Sequence, residues 1–154
     1  MTYSLRVFAC LAVILWLTGC SGWVLLNGID GSGTVDRSLT QEQVKEAIEE
    51  GAERVGWLAK EAKNDKILAT YRIRSHSVVV EISYSADSYD IRYKSSSRLK
   101  MFCSEEDKQA ARNMKLTGQA TCPGNADPLY LHGNYEVWIN ELKQSIEHSL
   151  AFWG

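Results

Sequence analysis

Four cysteines, Cys10, Cys20, Cys103 and Cys122, and three histidines, His76, His132 and His148, are the side chains with chemistry available near neutral pH. Their spacing excludes more than it proposes. A tetrahedral zinc site wants thiolates in close pairs such as C-x-x-C, and these four stand far apart. No G-x-S-x-G nucleophile elbow, H-E-x-x-H pair or phosphate-binding G-x-x-x-x-G-K-[ST] loop occurs. The expectation is no catalytic set, no cofactor and no metal. His76 falls in a predicted hairpin turn and His148 on the solvent side of a predicted helix. His132 stands beside the start of the last predicted helix. It is read as a structural contact with the end of the sheet, or as a polar group in a cleft between helix and sheet.

Cys20 has the most specific setting. A short head with one positive side chain, Arg6, precedes an apolar run of 11 residues, 7–17, which is the length of a signal-peptide h-region. The run closes in Leu17-Thr18-Gly19-Cys20, which resembles the lipobox of bacterial lipoproteins. That resemblance implies diacylglycerol on the Cys20 thiol, removal of residues 1–19 as a signal peptide together with Cys10, and acylation of the new amine. Ser21, where enterobacterial lipoproteins retained in the inner membrane tend to carry aspartate, implies transfer to the outer membrane. Each buried methylene contributes ~0.8 kcal/mol, so two or three chains hold firmly where one does not. The alternative is an uncut helix over 7–26, about the 20 residues a bilayer needs. Gly19, Gly22 and Asn27 weigh against it.

With 154 residues, 45% hydrophobic and 23% charged, the chain suits one small domain with its own core. A formal charge of -2 gives no global attraction for nucleic acid. Residues 20–38 read as the lipidated anchor and a flexible tether, rich in Gly, Ser and Asp. The apolar residues 23–26 within it could rest at the lipid interface or pack under the domain.

The domain proper is expected over 39–154. Thr40 and Gln43 form a capping box, and Val44, Ala47, Ile48, Ala52 and Val55 recur at helical spacing, predicting a helix over 41–55 that stops at Gly56. A short strand over 57–62 follows. Strict alternation of apolar and polar residues over 66–74, 77–84 and 89–94 then predicts three more strands, and the short joints between them make neighbours antiparallel. A stripe of Tyr135, Trp138, Ile139, Leu142, Ile146 and Leu150 marks a C-terminal helix with Asn134 as its cap. The fold class is α+β: a four-stranded antiparallel meander with the N- and C-terminal helices packed on one face.

An insertion over about 102–131 interrupts this plan. Ser104 caps a predicted helix with Glu105, Glu106 and Asp107 in its first turn, and Gly118 ends it. Cys103 and Cys122 stand just outside its ends and are expected to form a disulfide in an oxidising compartment, with ~3 kcal/mol of loop-entropy stabilisation.

The Gly56-Trp57 step, Tyr89-Asp90-Ile91-Arg92-Tyr93-Lys94 and the run from His132-Gly133-Asn134-Tyr135 through Trp138-Ile139 to Leu142 resemble a largely uncharacterised family of small Gram-negative lipoproteins. The likeness spans about two thirds of the chain after Cys20. It implies anchor and architecture, and carries no activity. This chain departs from the family by Leu131 before His132 and by the cysteine-bracketed insertion.

Two binding surfaces stand out. On the polar face of the expected sheet, Arg72, Arg74, Arg92 and Lys94, with Glu81 and Asp90 among them, form a mixed, net basic patch. It is either merely solvated or a contact for an envelope protein, peptidoglycan or headgroups. Tyr71, Tyr84, Tyr89, Tyr93, Tyr135, Trp57 and Trp138 either fill the core or line a ligand cleft. The expected function is therefore a non-enzymatic lipoprotein on the periplasmic side of the outer membrane that binds another envelope component. A periplasmic ligand-binding or inhibitor module with an aromatic cleft is the alternative, and an enzyme comes third.

Overall fold

The structure is a computed structural model that describes residues 22–29, 31–36, 38–114, 122 and 127–153. The expected leader, Cys20 and Gly118 lie outside the described residues.

The first helix, α1, spans Gln41–Arg54 and is capped as the sequence dictates. The Thr40 hydroxyl accepts from the Gln43 amide at 3.2 Å, while the Gln43 side chain accepts from the Thr40 amide at 2.8 Å. Its apolar stripe buries Val44, Ala47, Ile48 and Ala52 completely. The last helix, α3, spans Asn134–Phe152 and buries Tyr135, Trp138, Ile139, Leu142, Ile146 and Leu150. The two helices pack closely because the contact is lined by small residues: a methyl on Gly51 would stand 2.7 Å from the Ile146 Cα and 2.9 Å from the Ser145 carbonyl oxygen. Forcing these backbones apart would cost about 1–3 kcal/mol. At the chain end, the Trp153 indole N–H donates to Glu50 at 3.3 Å, fastening the C-terminus to α1.

Beneath the helices lies an antiparallel sheet. Four of its strands follow in sequence: β3 (Trp57–Ala62), β4 (Lys66–Ile73), β5 (His76–Tyr84) and β6 (Ser88–Ser97). The alternation holds, with Ile67, Ala69, Val78, Val80, Ile82, Tyr89 and Ile91 buried toward the helices. A register shift between Val79 and Val80 leaves Lys94 as the extra residue of β6.

The sheet has five strands rather than the expected four. The fifth, β2 (Ser32–Thr34), pairs antiparallel with β6 through Ser32↔Asp90, Gly33↔Tyr89 and Thr34↔Ser88. It comes from the segment expected to be a flexible tether. Glycine serves close approach here, not looseness: a Cβ on Gly33 would overlap the Tyr89 ring, and one on Gly31 would overlap the Ile91 carbonyl.

A second antiparallel sheet also departs from expectation. Its order is β1 (Trp23–Leu25), β8 (Tyr130–His132), β7 (Met101–Phe102). The strands that flank the insertion thus pair with each other and with the residues after Gly22, so this part of the chain is more than a helical excursion. Leu131 is fully buried at its centre, and Trp23 meets Phe102 edge-to-face with centroids 4.4 Å apart. The open choice for residues 23–26 resolves toward packing: Trp23 sits on Phe102, and Val24 and Leu26 pack against the core. Between β7 and β8, helix α2 (Glu105–Met114) starts with the Asp107 amide donating to the Ser104 hydroxyl at 3.1 Å. Cys103 and Cys122 are joined in a disulfide with Cα atoms 5.3 Å apart.

Candidate functional site

The described residues enclose a cleft of about 850 Å³. The 26–32 segment and residues 90–93 of β6 form one side; Cys103, residues 127–129 and the first two turns of α3 form the other. Its apolar lining comes from Leu26, Ile29, Leu129 and Ile139. Two tyrosines supply its aromatic surface. The Tyr93 and Tyr135 rings meet edge-to-face at 5.8 Å, and the Tyr93 hydroxyl shares a 3.0 Å hydrogen bond with that of Ser96.

Tyr135 is the unusual member. Only 2% of it is exposed, yet its hydroxyl has no hydrogen-bond partner among the described residues, and it lines the cleft. The hydroxyl itself stays open to the cleft, so it can both donate to and accept from a ligand atom. Burial pushes both phenols above their ordinary range, and the charge of Asp127 pushes them the same way. The other charges in the wall are Asp90 and Arg92, which neutralise each other through a 2.5 Å contact from Arg92 Nε to Asp90 Oδ2. Asp127 is exposed and has no ion pair among the described residues.

The seven aromatic residues divide between the two roles considered for them. Trp57 and Tyr71 stack at 5.2 Å and Tyr71 meets Trp138 at 5.3 Å, all remote from the cleft lining, while Tyr89 is core. Tyr84 is half-buried against that core. Only Tyr93 and Tyr135 reach the cleft.

The expected mixed patch is partly paired within the protein. Lys94 contacts Glu81 at 3.4 Å, and Lys66 takes the other oxygen of the same carboxylate at 2.6 Å. The Lys66 hydrogen bond and then that of Lys94 hold the Glu81 carboxyl below its usual range despite some desolvation. Arg92 is committed to Asp90. Arg72 and Arg74, near the β4–β5 turn, are exposed and without an ion pair among the described residues. Cross-strand pairing puts Glu81 opposite Arg92 and beside Leu68, so the polar face remains mixed and net basic, with its charges partly paired.

His132 lies outside the cleft, in β8, and takes the structural one of the two roles considered for it. The expected cap, Asn134, is instead the first residue of α3, and its amide donates to His132 Nδ1 at 3.3 Å. Next to it the Gly133 amide donates to the Gly22 carbonyl at 2.7 Å, and the Trp23 ring meets the imidazole edge-on at 5.9 Å. Partial burial, then Lys100 and His76, hold His132 below its ordinary pKa. His76 opens β5 beyond the turn, with Nδ1 2.6 Å from the Arg98 carbonyl oxygen. His148 is exposed, as expected, beside Phe152.

Among the described residues no group of three or more His, Cys, Asp or Glu could hold a metal, and no helix is long and apolar enough to cross a membrane. Asp127 and the 26–29 segment are the site residues that sequence reasoning missed. The Asp127-Pro128 pair was a turn signal, but nothing local says which cavity a turn borders.

The neutral imidazole of His132 accepts a hydrogen bond at a helix N-terminus, where a positive charge would oppose the dipole. The unfolded chain binds that proton near pH 6.5, whereas the folded protein does so only at lower pH. The contribution is therefore full above pH 6.5 and is lost as pH falls from there through the depressed folded value. His132→Asn keeps an acceptor and cannot protonate. Between pH 7.5 and 5 its melting temperature should fall less than that of the parent by roughly 1–3 °C, given solvent screening at a half-exposed site. Equal slopes would remove His132 as the titrating cap.

Comparison with protein families, curated proteins and solved structures finds no match for this chain.

Proposed function

We propose that this chain is a lipid-anchored envelope protein whose α+β domain is a non-catalytic binding module using the cleft beside the disulfide. The anchor, at Cys20, follows from the lipobox resemblance, and the family of small Gram-negative lipoproteins follows from the His132-Gly133-Asn134-Tyr135 and Gly56-Trp57 segments. Ser21 favours the outer membrane, with the domain on the periplasmic side. The Cys103–Cys122 bond supports an oxidising compartment.

One observation carries the binding role: a cleft of about 850 Å³ containing a nearly buried, unpartnered phenol among apolar side chains. Ligand sites are concave and mostly apolar, with few polar groups that fix orientation. Between the two surfaces that the sequence offered, the structure favours the aromatic one, because Lys94 and Arg92 are already paired. Arg72 and Arg74 keep a sheet-face contact with an envelope protein or peptidoglycan as the second reading.

Pairing of β1 begins at Trp23, three residues after an acylated Cys20. Extended chain covers at most about 3.5 Å per residue, so the domain would lie within about 10 Å of the headgroups rather than on a long leash.

A photo-crosslinking residue at exposed Asn27, on the cleft, should give a discrete adduct in intact cells. The same residue at Arg72 on the sheet face should give none. The opposite pattern would replace the cleft with the sheet face. In the same cells the mature protein should begin at an acylated Cys20, and Cys20→Ala should accumulate with residues 1–19 attached; an unacylated native protein retaining them would remove the anchor.

A further inference from the structure

We infer that the cleft selects a ligand bearing an ammonium or guanidinium group next to an apolar moiety, an inference that rests on the cleft being a binding site. Among the described residues the charges in the wall are two carboxylates and one guanidinium. Since Arg92 is spent on Asp90 at 2.5 Å, Asp127 is the charge left for a ligand. No lysine lines the cleft among the described residues. An anionic ligand would therefore meet only a guanidinium that already has a carboxylate on it.

The aromatic groups point the same way. Ring faces carry negative quadrupole potential and attract cations. Tyr93 and Tyr135 stand where the Asp127 charge acts on both phenols, so carboxylate and rings serve one volume. This protein already uses that chemistry at another place: Lys108 Nζ lies 3.7 Å over the Tyr130 ring and 3.3 Å from Glu105. At the cleft a carboxylate, Asp127, and two tyrosine rings line one concavity. The Tyr135 hydroxyl offers a second polar contact, and Leu26, Ile29, Leu129 and Ile139 provide the apolar wall. A basic side chain or amino terminus of a peptide, flanked by an apolar residue, has this form, as does a small arylalkyl amine.

Three probes of one shape separate the terms: 2-phenylethylamine, 2-phenylethanol and 3-phenylpropanoate, cationic, neutral and anionic at pH 7. They are titrated into the full, 15N-labelled chain in zwitterionic lipid nanodiscs. Free probe is corrected for partition into empty discs, and amide shifts of residues 90–93, Asp127 and Leu129 give affinity. The amine should bind about tenfold more tightly than the alcohol, with the propanoate weakest. Asp127→Asn should bring the amine to the level of the alcohol while leaving the alcohol unchanged, and Tyr135→Phe should weaken both. Equal or tighter binding of the alcohol or the propanoate, or an amine affinity unmoved by Asp127→Asn, would overturn the cation preference and leave the cleft standing. If none of the three moves these signals, the cleft itself fails as a binding site, and the preference with it.

Discussion

Residues 23–34 commit their backbone to two different sheets, and most of what is distinctive in this molecule depends on that commitment. Trp23–Leu25 pair with Tyr130–His132, and Ser32–Thr34 with Ser88–Asp90. Between them the Leu26 amide donates to the Leu129 carbonyl at 3.0 Å, and the Ile91 amide to the Gly31 carbonyl at 3.2 Å. A segment of this composition would remain coil if its polar backbone groups were better solvated by water. It is held because neighbouring strands leave donors and acceptors in register and because glycine lets the backbones meet. One wall of the cleft is made this way.

The opposite wall depends on the disulfide and the small sheet. Cys103 follows β7 directly, and the bond to Cys122 limits how far the chain between β7 and β8 can wander. The Leu129 amide returns to the Phe102 carbonyl at 2.9 Å, and Tyr130 reaches Glu105 through its hydroxyl while Lys108 covers its ring. Asp127 and Leu129 are thus presented to Tyr135, the second residue of α3, by contacts that involve no cleft residue from the main sheet. His132 joins the two constructions: its backbone pairs with Trp23, its amide donates to the Lys100 carbonyl at 3.1 Å, and its imidazole receives the first amide of α3.

Where the sequence was informative, the reason is periodicity over enough residues. The alternation in 66–84 and the stripe from Tyr135 to Leu150 place the core correctly, and the Thr40–Gln43 box fixes the start of α1. Strands of two or three residues have no period to detect, so β1, β2, β7 and β8 were invisible and the 20–38 segment read as a tether. Gly31 and Gly33 are ambiguous in sequence, because the same residue serves a flexible linker and a tight contact. The pairing of the sheet-face charges was hidden for a related cause: Lys66, Glu81 and Lys94 are remote in sequence, and only the register Lys66↔Ser83 and Glu81↔Arg92 makes them neighbours. The cysteines could be paired from spacing and context, but their place on a cleft wall needed the β7–β8 pairing.

The account stands or falls on whether the residues after the anchor are part of the folded domain. Amide hydrogen exchange on the full chain tests this directly, since paired backbone exchanges only through opening. The Leu26 amide, which donates to the Leu129 carbonyl, should be protected well above random-coil rates, to a degree comparable with the Leu129 amide that donates to Phe102, along with the paired amides of 23–25 and 32–34. Exchange of the whole 23–34 stretch at coil rates, with the β4–β6 amides still protected, would show a free tether, and the cleft would lose the wall on which its chemistry depends.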